Sequence, residues 1–306
     1  MKILVAVTCL LEIGLLLGLP YKKHKLELLK RKSRSTDGSI ECTHMVSSPG
    51  EYWYQSPGSN DVCGLYIIGQ PDQLIEIEFT QFDISCEPNG LLAVFDGWEM
   101  NNQYFPGVED HDLPMNERYR TFCGAEVPNK LYISSQNVAL IMFRIPQAGE
   151  GFKVKVSFRI NPQPCNVMAM TKEGVFTMKN FGLRRNCTVS IINPVRIKMV
   201  NVDVSVSEER TSIKRETGLI TKCTDFGGGD YVQLLDGSGL DPAYMETEAV
   251  FCGQESSTDK TFDVVLGCQN SVVRMVSSGK FYNSLTFIFW PLSQHDKYAA
   301  GAPGHC

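Results

Sequence analysis

Eleven cysteines are the residues of this 306-residue chain best suited to covalent chemistry. Cys9 stands inside an apolar leader. The other ten are Cys42, Cys63, Cys86, Cys123, Cys165, Cys187, Cys223, Cys252, Cys268 and Cys306. No two are spaced C-x-x-C, so the pairs that zinc ribbons and thioredoxin-type redox sites need are missing. An even set behind a secretory leader points to disulfides. Ten cysteines permit on the order of a thousand pairings, and spacing alone does not choose among them.

Other chemistry is thin. There is no H-E-x-x-H, G-x-S-x-G, G-x-G-x-x-G or phosphate loop. Ser277-Ser278-Gly279-Lys280 ends like a phosphate loop but lacks the earlier glycine. Of the histidines (24, 44, 111, 295 and 305), only His111 stands among acids, in Asp110-His111-Asp112. With no nucleophile beside it, this tripeptide reads as a solvated loop, in a long insertion placed to meet a ligand. The expectation is therefore no catalytic residue, no metal and no cofactor. Asn186-Cys187-Thr188 is the one N-glycosylation sequon, which makes Asn186 a candidate glycan site on an exposed loop or strand end. Trp53, between Tyr52 and Tyr54, reads as core. Trp98, after an Asp-Gly turn, fits core or a peptide anchor.

The elements that must position these residues are strands. Ile75-Glu76-Ile77-Glu78-Phe79 alternates strictly. Phe152, Val154, Val156, Phe158 and Ile160 form one face of another strand, and Val200, Val202, Val204 and Val206 one face of a third. Val138–Phe143 and Leu285–Trp290 are nearly continuous apolar runs, which predicts strands covered on both faces. Turn signals recur at Pro57-Gly58, Pro88-Asn89-Gly90, Asp96-Gly97, Gly227-Gly228-Gly229 and Asp236-Gly237. Many short strands with such turns predict an all-β protein of antiparallel sandwiches.

The charge is uneven. The net charge is −5, which excludes a generally basic nucleic-acid binder. Residues 22–34 carry seven Lys/Arg and one Glu, so +6 taken from −5 leaves −11 for the rest. An acidic body of this kind favours cationic partners. Residues 1–19 read as a signal peptide, cleaved near Gly18–Tyr21. A membrane anchor is the alternative reading, interrupted by Glu12 and short for a bilayer. Residues 20–41 form a basic flexible arm, with Arg34 ending a candidate processing site or simply a solvated charge run. The mature chain is expected to be secreted, extracellular and free of membrane and nucleic acid. Its oligomeric state is not indicated.

An internal repeat sets the domain count. LLAVFDG (91–97), FCG (122–124) and SQNVALIMF (135–143) recur as YVQLLDG (231–237), FCG (251–253) and CQNSVVRM (268–275). Between DG and FCG the first copy holds 24 residues (98–121) and the second 13 (238–250). Two like domains are expected, 42–160 and 165–306, the second with a C-terminal tail, joined by the linker 161–164 (Asn-Pro-Gln-Pro).

This pattern resembles the CUB domain, a disulfide-stapled sandwich. VFDGW (94–98), PCNV (164–167), NCT before SIINP (186–194), GLDP (239–242) and VVRMVSSGK (272–280) are similar to the corticotropin-releasing factor-binding protein family, with the likeness running from Cys42 to Cys306. That resemblance implies sequential pairing: Cys42–Cys63, Cys86–Cys123, Cys165–Cys187, Cys223–Cys252 and Cys268–Cys306. It implies a glycan at Asn186. It also implies a non-enzymatic secreted glycoprotein that sequesters a CRF-like, diuretic-hormone-type neuropeptide and limits receptor activation. An extracellular CUB adaptor for another protein or a glycan is the alternative, and a secreted hydrolase a third reading. The peptide contacts are not located by the resemblance. Many CUB domains hold calcium through loop acids. Here those positions are Gly90 and Pro146 in the first copy, and Asp230 with Ser277-Ser278 in the second, too few oxygen ligands for a hard cation.

Overall fold

The computed structural model describes residues 38–205, 229–256, 263–293 and 296. Contacts divide the chain into residues 1–40 and 41–306, and everything below concerns the second unit. The expected leader and nearly all of the basic arm lie outside the described residues.

The first half runs β1 (Thr43–Val46), β2 (Gly50–Gln55), β3 (Cys63–Ile68), β4 (Gln73–Asp83), β5 (Leu91–Phe95), β6 (Trp98–Met100), β7 (Gln103–Phe105), β8 (Tyr119–Phe122), β9 (Tyr132–Ile133), β10 (Val138–Arg144) and β11 (Gly151–Ile160). The second runs β12 (Val167–Ala169), β13 (Gly174–Lys179), β14 (Cys187–Ile191), β15 (Val195–Val204), β16 (Tyr231–Gly237), β17 (Glu246–Phe251), β18 (Gly253–Ser256), β19 (Asp263–Leu266), β20 (Asn270–Val276) and β21 (Ser284–Pro291). The sheets repeat. Order β1-β3-β10-β5-β8 in the first half becomes β12-β14-β20-β16-β17 in the second, and β2-β11-β4-β9 is answered by β13-β21-β15-β18 with β19 also on β15. In the sheets β1-β3-β10-β5-β8 and β12-β14-β20-β16-β17 the first pair is parallel and the other pairings are antiparallel. The protein is all-β, two sandwiches of matching strand order.

Disulfides sit at like places. Cys42–Cys63 joins the chain entering β1 to the start of β3, and Cys165–Cys187 the chain entering β12 to the start of β14. Cys86–Cys123 ties the end of β4 to the chain leaving β8, across the two sheets. Cys252 and Cys268 are also disulfide-bonded. Cys223 and Cys306 lie outside the described residues.

Alternation follows the pleat. Ile75, Ile77 and Phe79 of β4 are buried while Glu76 and Glu78 point away. Two runs depart from the sequence expectation. In β15 the register shifts between Met199 and Asn201, so Val195, Ile197 and Met199 face the core, Val200 turns out, and Val202 and Val204 face in again. A bulge inserts one residue and swaps the faces. In β11, Phe152, Val154 and Val156 are core, but Ile160 is exposed because the strand outruns its sandwich into the linker. Val206 lies outside the described residues.

β10 is covered on both faces, as expected, but Leu285–Trp290 is not: Leu285, Phe287 and Phe289 are core while Thr286, Ile288 and Trp290 stay partly exposed. In the second half β14, buried from Cys187 to Ile191, and β20, buried from Asn270 to Met275, are covered on both faces. The reason is docking. The sheets containing β10 and β20 both turn one face toward the 98–121 insertion.

The repeat's Asp-Gly turns are tied down by their aspartates. Asp96 accepts hydrogen bonds from Ser135 N (2.8 Å), Ser135 Oγ (2.6 Å) and Gln136 Nε2 (2.7 Å), the residues leading into β10. Asp236 accepts from Gly267 N (2.6 Å) and Cys268 N (3.0 Å), leading into β20. Gly97 follows Asp96 at φ 132°, and a Cβ there would lie 2.4 Å from Phe105 O. The two carboxyls differ in charge balance. Burial pushes Asp96 up, but hydrogen bonds from His111 and Ser135 outweigh it and hold it below the ordinary range. Burial prevails at Asp236 and raises it. A depressed carboxyl stabilises the fold above its unfolded pKa and loses that stabilisation as pH falls. Asp96→Asn is therefore expected to cost about 1–3 kcal/mol at pH 7, with the penalty shrinking below about pH 4. Urea denaturation of both proteins at pH 7 and pH 3 measures this.

Candidate functional site

The junction between the sandwiches is built by the first-copy insertion. Its hairpin, β6 with β7, lays Trp98 and Phe105 over Phe95, Val138 and Leu140 on the outer face of the first sheet. Met168 of β12 and Leu240 complete that cluster from the second sandwich. Trp98 is 2% exposed and donates its indole N–H to Ile67 O (3.1 Å) and Ala139 O (3.2 Å), so it is core and no surface anchor. Trp53 is partly buried on β2. Polar bonds fix the contact. Asn137 Nδ2 donates to Met168 O and Met168 N donates back to Asn137 Oδ1, both at 2.9 Å. Gln103 Oε1 accepts from Leu240 N (2.8 Å).

Asp110-His111-Asp112 is not the solvated loop expected. Asp110 is 5% and His111 9% exposed, because the insertion folds down onto the second sheet. Leu113 N–H donates to His111 Nδ1 (2.9 Å), so Nε2 carries the proton that it donates to Asp96 Oδ2 (3.2 Å). Both ring nitrogens are committed to structure. Asp110 reaches across. Its Oδ1 accepts from Arg274 Nε (2.8 Å) and its Oδ2 from Thr188 Oγ1 (2.7 Å). Asn166 Nδ2 donates to Asp110 O (2.7 Å), and Asn166 Oδ1 accepts from Thr188 N (3.1 Å). Arg274 gives its other donors to Gln233 Oε1 (3.0 Å) and Glu109 Oε2 (3.2 Å). Burial alone would lower the guanidinium pKa, but Asp110 outweighs it and keeps Arg274 firmly charged.

Arg118 plays a similar part within the insertion. Its guanidinium lies 4.7 Å from the Phe95 ring centroid and donates to Asp96 O (3.1 Å) and Pro106 O (2.9 Å). Burial lowers its pKa to about 10.

Above the ion pair opens a cleft of about 570 Å³. Asp112 lines one wall; Arg184, Arg185, Asn186, Ser278 and Lys280 line the other. Asn186 is partly exposed, and its Nδ2 donates to Glu109 O (3.0 Å). A glycan on Asn186 would stand at this cleft. Sequence reasoning missed the junction because its partners lie far apart in the chain: Asp110 and Arg274 are 164 residues apart. The one available signal was an arginine inside the apolar strand VVRMV.

Asp230 and Gly90, two of the loop positions weighed for calcium, are both engaged by the fold. Asp230 is buried, its Oδ1 taken by Ser278 N (2.7 Å) and its Oδ2 by Asn283 Nδ2 (2.7 Å). A Cβ on Gly90 would meet Ser85 O at 2.0 Å, so no acidic side chain fits there. Among the described residues, no group of three His, Cys, Asp or Glu could hold a metal ion. Nor is any described helix long and apolar enough to cross a membrane.

Residues 34–160 match the corticotropin-releasing factor binding protein N-terminal domain, and residues 167–297 the C-terminal domain of the same name. The chain belongs to the corticotropin-releasing factor-binding protein family. Corticotropin-releasing factor-binding protein of Homo sapiens is 36% identical over 258 residues, 84% of this chain and 77% of that one. The Xenopus laevis protein is 39% identical over 249 residues, 81% of this chain and 75% of that one. Among solved structures, the CUB1-EGF-CUB2 domains of rat MASP-1 overlap 81% of this chain and 99% of that one at 14% identity, with a TM-score of 0.27, too low to bear on function.

The buried Asp110–Arg274 pair sets which junction residue to test. Removing one partner of a buried pair strands the other charge. Arg274→Met is expected to cost about 3–5 kcal/mol, measured by chemical denaturation. The double variant Asp110→Leu/Arg274→Met should recover much of that loss, since no lone charge remains buried.

Proposed function

We propose that this chain is a secreted, non-enzymatic glycoprotein that captures a corticotropin-releasing-factor-like peptide of the diuretic-hormone type. Bound peptide cannot reach its receptor, so activation falls by mass action. The observation that carries this reading is identity of 36% and 39%, over most of the chain, to proteins named for binding corticotropin-releasing factor. Disulfides support an oxidising, extracellular location. The rigid junction supports a binding role, because a preorganised surface loses less entropy when it closes on a flexible peptide. An amphipathic peptide helix would dock its apolar face. The acidic body would steer cationic segments and raise the on-rate more than the depth of binding.

Isothermal titration of the full chain with a corticotropin-releasing factor peptide is expected to show micromolar or tighter binding and an intact peptide afterwards by mass spectrometry. No heat, or a cut peptide, would remove the reading. The remaining disulfides are proposed as Cys223–Cys252 and Cys268–Cys306, with a glycan on Asn186. Peptide mapping of the unreduced protein should return those two bridges and no free thiol, together with a sugar-bearing Asn186 peptide.

A further inference from the structure

The cleft above the junction carries more positive charge than the junction consumes. Glu109 and Asp110 both pair with Arg274. Arg184, Arg185 and Lys280 line the same cleft, and among the described residues none of them lies within ion-pair distance of a carboxylate. Asp112 is the one further carboxylate in the wall. With Arg274 beside them, four cations stand against the three carboxylates of Glu109, Asp110 and Asp112, an excess of one positive charge in a chain of net charge −5.

Arg185 is the most informative of the three. Its guanidinium lies 5.2 Å from the Phe181 ring centroid, and Nε and Nη2 are buried with no hydrogen-bond partner. Burial lowers its pKa, Asp112 opposing only in part. A half-desolvated cation without an acceptor is unfavourable, and an anion brought beside it recovers that free energy.

Apolar surface stands on the turns next to this wall, outside the cleft lining itself. Arg184 pairs with Ser278 in an antiparallel bridge, and Asn180 Nδ2 donates to Phe281 O (2.8 Å), so the 181–184 and 278–282 turns lie side by side. Leu183 (47% exposed) and Tyr282 (62% exposed) stand on these turns. The volume of about 570 Å³ is that of a site for several side chains.

We infer that this cleft receives an acidic side chain of the bound peptide, with Arg184, Arg185 and Lys280 as its charge partners and Leu183 and Tyr282 seating an adjoining apolar residue. The inference rests on the peptide-binding reading above. Its chemical content is separate: the peptide's acidic group, and not only its apolar face, is read at the junction of the two sandwiches.

The test uses the full glycosylated chain, a corticotropin-releasing factor peptide, and a panel of that peptide with each Asp or Glu changed in turn to its amide. Arg184→Glu/Lys280→Glu alters two exposed side chains, and an unchanged thermal midpoint verifies folding. Arg185→Met is the second variant. The double variant should bind the parent peptide about tenfold more weakly or worse, with the deficit largest at low salt. One amide peptide should lose about tenfold against the unaltered chain and little more against the double variant. Binding by the unaltered chain that both variants match within about twofold would overturn the cleft assignment alone. That result also follows if the Asn186 glycan fills the cleft. Failure of the unaltered chain to bind any peptide of the panel would overturn this inference and the peptide-binding reading together.

Discussion

A guanidinium and a carboxylate withdrawn from water, Arg274 and Asp110, hold the two sandwiches in one arrangement. Such a pair contributes little net stability, because desolvation offsets most of the attraction. What it supplies is direction. Thr188, Asn166, Gln233 and Glu109 satisfy the remaining donors and acceptors, so only one docking leaves nothing unpaired. The apolar cluster beneath it, Trp98 and Phe105 against Leu140, Met168 and Leu240, supplies the favourable burial. Every feature of the cleft above depends on this junction, since its two walls come from different sandwiches.

The repeat explains why the junction exists at all. Both halves have the same strand order, and both tie an Asp-Gly turn to the loop before a central strand. They diverge where the first copy carries its longer insertion. That segment supplies β6, β7, Asp110, His111 and Arg118, and it meets the shorter second-copy loop at Leu240. The extra residues therefore serve as the wedge between the sandwiches. Divergence also reaches the loops before the central strands: Gly90 of the first copy is pressed against the Ser85 carbonyl, while Asp230 of the second has both carboxylate oxygens taken by protein donors.

Legibility in the sequence tracked the range of the physics involved. The strict alternation of β4 was readable because one buried face and one wet face are a local consequence of the pleat. In β15 only Val200 was misread: Val202 and Val204 face the core as their alternation says, but a bulge between Met199 and Asn201 turns Val200 outward and leaves no trace in composition. The acid-flanked His111 looked solvated because its neighbours in sequence are polar. It is buried because its neighbours in space are Asp96 and the face of the second sheet. VVRMV reads as an ordinary strand with one charge, and nothing local shows that this charge is the centre of an interface.

The amino-acid sequence alone determined the period-two strands and the two-fold repeat with its spaced cysteines, because pleating, turn chemistry and thiol spacing act over a few residues. It also carried the family likeness. Only the tertiary structure decided which strand faces are covered twice, that the long insertion is a wedge and not a solvated loop, and that Arg184, Arg185 and Lys280 gather at one cleft. Those outcomes depend on charges and apolar faces far apart in the chain meeting in a low-dielectric junction, where an unpaired partner is costly, and such pairings have no short-range signature.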